Sequence, residues 1–502
     1  MNDRTLSKNP YQQLEEIFRQ VALFQEVIQI LDWDTNTMMP VKAAVGRGQQ
    51  EAFLKVKLHQ CLTDPRLVDL LDKAESQKHH LTSWQQANLR EMHYHWLRAS
   101  ALPDELVHRL AVVSNNCEKK WRIAKKEANF SLVQHELAEL IVLTKEEASI
   151  KAEKLGCKPY EALISQYEPG IQIGLLDRIF DDLAEFLPPV IAQITPRQSP
   201  KLRPSINQTM PIEQQDRLIR AVIQKMTFDF QQGRVDQSLH PFSSSLLDDM
   251  RITVAFKEQG FSVALMAAIH EIGHAFYEGG LPKMWRYQPV GWARGMALHE
   301  SQSLIWEMMV ARTTSFWGFM TTQMTQHAPE LLTPVNLNAL VDSVTQVRPG
   351  LIRVEADMVT YPLHIILRYW IERALFSNQL AVHQIPEVWN TYQKQLLGVL
   401  PNSDSDGCLQ DIHWYSGSFG YFPTYTFGAL IAAQLFETAI KQMPTLLQDI
   451  QQGNFHILRS WLTQNVHQQA SSVSTEQILK NVTGQGLSTA AYKRNVKQRY
   501  DV

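Results

Sequence analysis

The strongest constraint in this sequence is the period of its apolar residues. Over residues 11–33, Ile17, Val21, Phe24, Ile28 and Leu31 recur at alternating steps of four and three, which aligns them along one side of a helix. The patterning returns over 49–62, 84–99, 132–154, 210–226 and 429–442, interrupted by short turns rich in Pro, Gly or Asp. Such a chain folds mostly as α-helix. Residues 249–256 (DMRITVAF) depart from it: Ile252, Val254 and Phe256 alternate with Arg251, Thr253 and Ala255, which predicts a short strand. Gly260 then breaks the chain and Ser262 offers an N-cap for a helix, and a strand beside that helix could pair with an extended peptide. Residues 187–206 hold Pro188, Pro189, Pro196, Pro200 and Pro204, which predicts a long surface connection between two lobes.

Composition narrows the class. The chain has 502 residues, 44% hydrophobic and 20% charged, which excludes a disordered or collagen-like polymer. Lys+Arg 48 against Asp+Glu 51 leaves a net charge of -3, so no broad basic surface for nucleic acid or anionic membrane is expected. The four cysteines, Cys61, Cys117, Cys157 and Cys408, form no C-x-x-C pair and fit reduced thiols in a cytoplasmic protein. The N-terminus, MNDRTLSKNPYQQLEE, lacks the apolar core of a signal peptide, and the apolar run at 263–269 is too short to cross a bilayer, so a soluble, unprocessed chain is expected.

Residues 261–277 read FSVALMAAIHEIGHAFY, with Leu265, Ile269, Ile272 and Phe276 as an apolar face and H-E-x-x-H within it. On a helix, His270 and His274 stand one turn apart and can face one cation, while Glu271 reaches water beside it. Two histidines and a glutamate on a buried face are costly unless an ion neutralises and orients them. Downstream, GMALHESQSLIWEMMVA predicts a second helix carrying Glu300, and the Gly- and Pro-rich GGLPKMWRYQPVGWARG between them can turn it back on the first. Two His and one carboxylate leave a coordination position open, as a catalytic zinc requires. His299 competes with Glu300, but beside a ligating Glu300 it is more naturally a neighbour of the site.

With these residues in view, the sequence strongly resembles the Taq-type metallocarboxypeptidases, peptidase family M32, over essentially its whole length. The resemblance rests on HPF at 240–242, DMRIT at 249–253, HEIGH at 270–274, HESQ at 299–302, IRVEAD at 352–357 and GCLQDIHW at 407–414, with FGYFPTY following at 419–425. It implies a mostly α, single large helical zinc-peptidase fold with a deep groove and a small β-sheet near the active site. Within that one domain, 1–205 would cover the groove and 206–502 carry the metal. It implies a homodimer that releases C-terminal amino acids one at a time with broad preference and Pro disfavoured. His270, His274 and Glu300 would hold zinc, or cobalt, one ion per chain, and Glu271 would be the catalytic base. The chain departs from the family pattern at Leu304 and Met358, where Arg and Glu are expected, and at Trp370, where an acid is common. If the lost pair were an ion pair, Leu304 and Met358 would exchange it for apolar contact.

An exopeptidase must recognise the substrate's free carboxylate, for which a guanidinium is suited. Arg353 is the first candidate and Arg251 the second, although either can pair structurally with Asp357 or Asp249 of its own motif. His413, Tyr421 and Tyr425 are candidates to donate to the oxyanion, Tyr425 and Phe422 being equally readable as core packing. An endo-acting oligopeptidase on the same scaffold and an inactive peptide-binding protein are the competing readings. Intact His270, Glu271, His274 and Glu300 argue against the latter.

Overall fold

The computed structural model describes residues 9–198, 209–329 and 337–502. The first helix, Pro10–Thr37, opens on a reciprocal cap: Asn9 Oδ1 accepts from the Gln12 N–H at 2.8 Å, Gln12 Oε1 accepts from the Asn9 N–H at 3.2 Å, and Pro10 takes the first turn. Its fully buried face is Tyr11, Leu14, Phe18, Val21 and Ala22, so of the predicted stripe only Val21 is fully covered. These side chains pack with Leu67, Leu70, Leu71, Ala74, Leu89 and Met92 in a small N-terminal core. The next helix, Ala44–Leu62, buries no residue and is tied back by Arg47, which bonds Asp34 Oδ2 at 2.6 Å and the Leu31 carbonyl at 2.9 Å.

The other predicted helices form as Ser83–Ser100, Gln134–Leu155, Ile212–Lys225 and Pro423–Gln442. The proline-rich segment does not begin where expected. Helix Ile173–Ile194 runs through Pro188 and Pro189, because Leu183, Leu187, Val190, Ile191 and Ile194 bury a continuous apolar face. The carbonyls that lose their donors belong to half-buried Ala184 and exposed Glu185. Pro196 sits in a short turn at Thr195–Arg197, and Pro200, Pro204 and Ile206 lie outside the described residues.

Three strands, β1 (Gly233–Gln237), β2 (Ser243–Leu246) and β3 (Asp249–Val254), form one sheet in the order β1-β3-β2. β3 runs parallel to β1, with Arg234 opposite Arg251, and antiparallel to β2, with Ser244 opposite Arg251. The predicted strand is therefore the central one, and both its edges are taken, so it cannot receive an extended peptide. After β3 the chain turns at Gly260, φ +107°, which itself caps the helix Phe261–Gly279 in place of the expected Ser262. The predicted face Leu265, Ile269, Ile272 and Phe276 is at most 1% exposed and joins a large core that runs from Leu106 to Val496. The architecture is mostly α with one small sheet, as expected, and among the described residues no helix is long and apolar enough to cross a membrane.

Candidate metal centre

Three helices meet at the site, and two glycines set how closely they approach. Helix Phe261–Gly279 carries His270, Glu271 and His274; helix Met296–Leu304 carries Glu300 and continues as a widened turn over Ile305–Val310; helix Pro423–Gln442 packs across the second. A Cβ on Gly273, inside HEIGH, would stand 2.5 Å from Ser303 Cα. One on Gly428 would stand 2.7 Å from Glu300 Cγ. The Glu300 helix is thus clamped between two surfaces that tolerate no methyl group. Its first turn is fixed by buried Glu168, whose Oε2 accepts from the Ala297 N–H at 2.9 Å.

The clamp brings His270, His274 and Glu300 together, with one ligand atom from each within 4.8 Å of the others. Glu300 Oε2 lies 3.8 Å from His270 Nε2 and 3.5 Å from His274 Nε2. Donors bonded at about 2.0–2.2 Å around a tetrahedral ion stand about 3.4 Å apart, so these residues fit a zinc-sized cation with little movement. The other nitrogen of His270, Nδ1, donates to Glu307 Oε2 at 2.9 Å, and Arg312 bonds Glu307 Oε1 at 2.9 Å. This carboxylate fixes the imidazole's tautomer and orientation. Sequence reasoning gave Glu307 no role; its position seven residues after Glu300, two turns along the same face, was the available signal. His299 is a neighbour, as expected: its ring stacks on His274 at 4.6 Å and its Nε2 donates to Glu278 Oε1 at 2.9 Å.

The electrostatics match a site waiting for positive charge. Burial opposes the charged form of His270, yet Glu300 and Glu307 outweigh it and push this imidazole up to about 10. Burial lowers His274 to about 4. Burial would raise Glu300 and Glu307, but the histidines hold Glu300 below its ordinary value, and His270 with Arg312 brings Glu307 down to about 2. Glu271, buried and beside Glu300, rises to about 7, suited to accepting and returning a proton near neutral pH.

Next to these groups lies an aromatic cluster around a buried arginine. Tyr425 is on the same helix as Gly428, its hydroxyl 3.4 Å from His413 Nε2, and Tyr421 packs edge-on against it at 5.2 Å. Burial raises the Tyr425 hydroxyl, while Arg353 lowers it and Glu300 raises it further. Arg353 covers the Tyr425 ring at 4.9 Å and bonds Asp411 Oδ1 through Nε and Nη2 at 3.1 and 2.9 Å. Its partner is Asp411 and not Asp357, which caps the helix Tyr361–Phe376 by accepting from the Val359 and Thr360 N–H groups. Phe422, 1% exposed, is core; Tyr425 keeps an open side.

Arg251 is committed elsewhere. Its Nε and Nη2 bond Asp249, and its plane lies 4.4 Å from the Trp33 ring, whose other contact is Arg234 at 4.6 Å, itself paired with Asp236. The indole thus seats the first helix on the sheet. The HPF and DMRIT motifs serve the same sheet, the Phe242 N–H donating to Thr253 Oγ1 at 2.9 Å. Leu304 and Met358 are both buried, but what Met358 meets is Arg499, whose Nη1 lies 3.0 Å from its sulfur. Among the described residues no carboxylate pairs with that guanidinium, and burial lowers it to about 10. Trp370 packs on Tyr392 at 5.2 Å.

A cation-ready His-His-Glu set with a neighbouring glutamate, on a mostly helical scaffold, defines a metallopeptidase. The chain belongs to the Carboxypeptidase Taq (M32) metallopeptidase family, whose model matches residues 13–500. It is 34% identical over 507 residues to Thermostable carboxypeptidase 1 of Thermus thermophilus, covering 98% of each chain, and 30% identical over 474 residues to Carboxypeptidase 1 of Bacillus subtilis, covering 94% of each. Among solved structures it is similar to Trypanosoma cruzi metallocarboxypeptidase 1, with a TM-score of 0.94, 35% identity and coverage of 98% of this chain and 99% of that one. The chain is a metallocarboxypeptidase, a hydrolase acting on peptides.

Proposed function

We propose that this enzyme removes single residues from peptide C-termini, with broad side-chain preference and Pro disfavoured, using one zinc ion per chain held by His270, His274 and Glu300. Cobalt suits the same donors. A cation held there supplies Lewis-acid activation of a water and of the scissile carbonyl. Glu271, beside the ligand His270 on the same helix, takes the proton of the attacking water and returns it to the leaving amine. Tyr421, Tyr425 and His413 bind the substrate, donating to the scissile carbonyl oxygen of the bound peptide as well as to the oxyanion it becomes, so that their contribution is read mainly in KM. Carboxylate recognition falls to Arg353 rather than Arg251, because Arg353 covers the ring of Tyr425, one helical turn before the Gly428 that abuts Glu300, while Arg251 lies against Trp33. That Arg353–Tyr425–Glu300 sequence carries the proposal: it sets a carboxylate anchor one aromatic ring away from the reacting bond.

In this reading residues 1–205 cover the groove and 206–502 carry the metal, and the enzyme works as a cytoplasmic homodimer, in keeping with four unpaired cysteines. The test is Arg353→Ala assayed on blocked peptides ending in a free acid or an amide, with and without chelator. KM should rise far more for the free acid than for the amide, and chelation should abolish release. Equal effects on the two substrates would refute the anchor, and internal fragments would replace the exopeptidase by an oligopeptidase.

A further inference from the structure

The helix Tyr361–Phe376 carries two buried charged residues one turn apart, Arg368 and Glu372, and both grip the loop that leads to the aromatic cluster. Arg368 bonds Asp411 Oδ2 through Nε and Nη2 at 2.8 and 2.5 Å. Glu372, fully buried, accepts three hydrogen bonds of 2.7 Å: from the Trp414 indole N–H at Oε1, and from the Tyr160 hydroxyl and the Gly420 N–H at Oε2. Trp414 directly follows His413, and Gly420 directly precedes Tyr421. Gly420 has φ +81°, and a Cβ there would stand 2.9 Å from the Ile164 nitrogen, so its N–H can be presented in this way only by glycine. Between the two pinned points the chain folds back so that the His413 and Tyr421 rings lie 5.5 Å apart.

We propose that Glu372 is a positioning residue for substrate binding: by holding Trp414 and Gly420 on one carboxylate, it sets the separation of His413 and Tyr421 at the peptide's C-terminal end. This rests on the reading of His413 and Tyr421 as substrate-binding residues. Glu372 touches no substrate and acts through the loop. Hydrogen bonds made in a low-dielectric interior are strong and directional, which suits a fixture that must hold an indole N–H and a backbone N–H of one loop at once.

Glutamine is the discriminating replacement, because it keeps the volume and withdraws one acceptor. With its oxygen toward Tyr160 and Gly420, its NH2 faces the Trp414 N–H; turned over, it faces the Gly420 N–H. Either orientation releases one end of the loop. The experiment compares steady-state kinetics of Glu372→Gln, Tyr421→Phe, His413→Ala and Tyr160→Phe on a blocked free-acid peptide, with metal content measured on each. Glu372→Gln should raise KM roughly tenfold or more with kcat within about threefold and metal content unchanged, while Tyr160→Phe, which removes the donor outside the loop, leaves KM near the parent value. A folded, metal-replete Glu372→Gln with unchanged KM, beside Tyr421→Phe and His413→Ala that do raise it, overturns the positioning role and leaves the loop's part in binding intact. If neither Tyr421→Phe nor His413→Ala moves KM, both ideas fall. Should Glu372→Gln not fold, Trp414→Phe removes the same hydrogen bond from the loop side and is judged by the same KM criterion.

Discussion

Replacing Asp411 by Asn removes one negative charge from between two guanidinium groups, one fully buried (Arg368) and one 7% exposed (Arg353). Arg353 donates twice to Oδ1 and Arg368 twice to Oδ2, all four bonds between 2.5 and 3.1 Å. An amide at 411 keeps the two bonds to its oxygen and turns its NH2 toward the other arginine, so donor meets donor. At about 1.5–3 kcal/mol for each bond to a charged group, losing two costs about 3–5 kcal/mol, the range seen when one partner of a buried pair is removed. The pH dependence follows. Burial alone would raise the Asp411 carboxyl, but Arg368 and Arg353 hold it well below its ordinary 3.8, so its stabilisation is present above that value and drains away as pH falls below it. The parent chain should therefore lose stability more steeply than Asp411→Asn on acidification. Urea midpoints read both effects, measured with chelator present so that metal binding adds nothing to either chain. KM for free-acid peptides should rise as Arg353 loses its support. A folded Asp411→Asn variant that loses less than about 1 kcal/mol and keeps its KM would refute the argument.

Glu271→Gln should lower kcat by about 10²–10⁴ with metal content unchanged, and a variant retaining most of its kcat would remove Glu271 from the base role. Gly428→Ala drives a methyl group into the Glu300 side chain and should weaken metal binding by about 10–100-fold in chelator competition; parent-like affinity would show that Glu300 moves freely. Met358→Glu gives buried Arg499 a carboxylate and should hold or raise the thermal midpoint, whereas Met358→Lys sets two cations together and should lower it sharply; equal losses would contradict the contact. Burial raises Glu372 from 4.5 to about 7, so the stability tied to its neutral form is complete below 4.5 and is lost as pH rises through about 7. That rise corresponds to about 3 kcal/mol, and Glu372→Gln should flatten the stability profile over this window.

The helices and the metal-site residues were legible in the sequence because each rests on a local period. A buried stripe repeats every three or four residues, and H-E-x-x-H needs only one turn of one helix to make sense. The first helix shows the limit: periodicity located it but misplaced its covered face, because Leu67 and Leu70, far along the chain, choose the side that is buried. Pro188 and Pro189 predicted a break where apolar burial carried the helix through. Within the site, Glu307, Asp411 and Glu372 escaped notice for one reason. Each acts by touching residues brought near only by folding, and a lone acid in a sequence looks the same whether it faces water or holds two arginines. Their motifs put Arg353 ahead of Arg251 as the anchor but could not show what surrounds either one; the ring beside each, Tyr425 or Trp33, distinguishes them in space.

The seat of Trp33 also determines how the first helix responds to its medium. Arg234 and Arg251 keep their own carboxylates, Asp236 and Asp249, whether or not the indole lies between them. Lifting the first helix off the sheet therefore breaks neither of these ion pairs; it uncovers one aromatic ring and two guanidinium planes. Ionic screening acts on the pair between Glu26 of this helix and Arg286, 3.3 Å apart, while salts that strengthen burial favour the docked position. A helix seated chiefly by aromatic and apolar contact should give up only the small contribution of that one pair as salt rises.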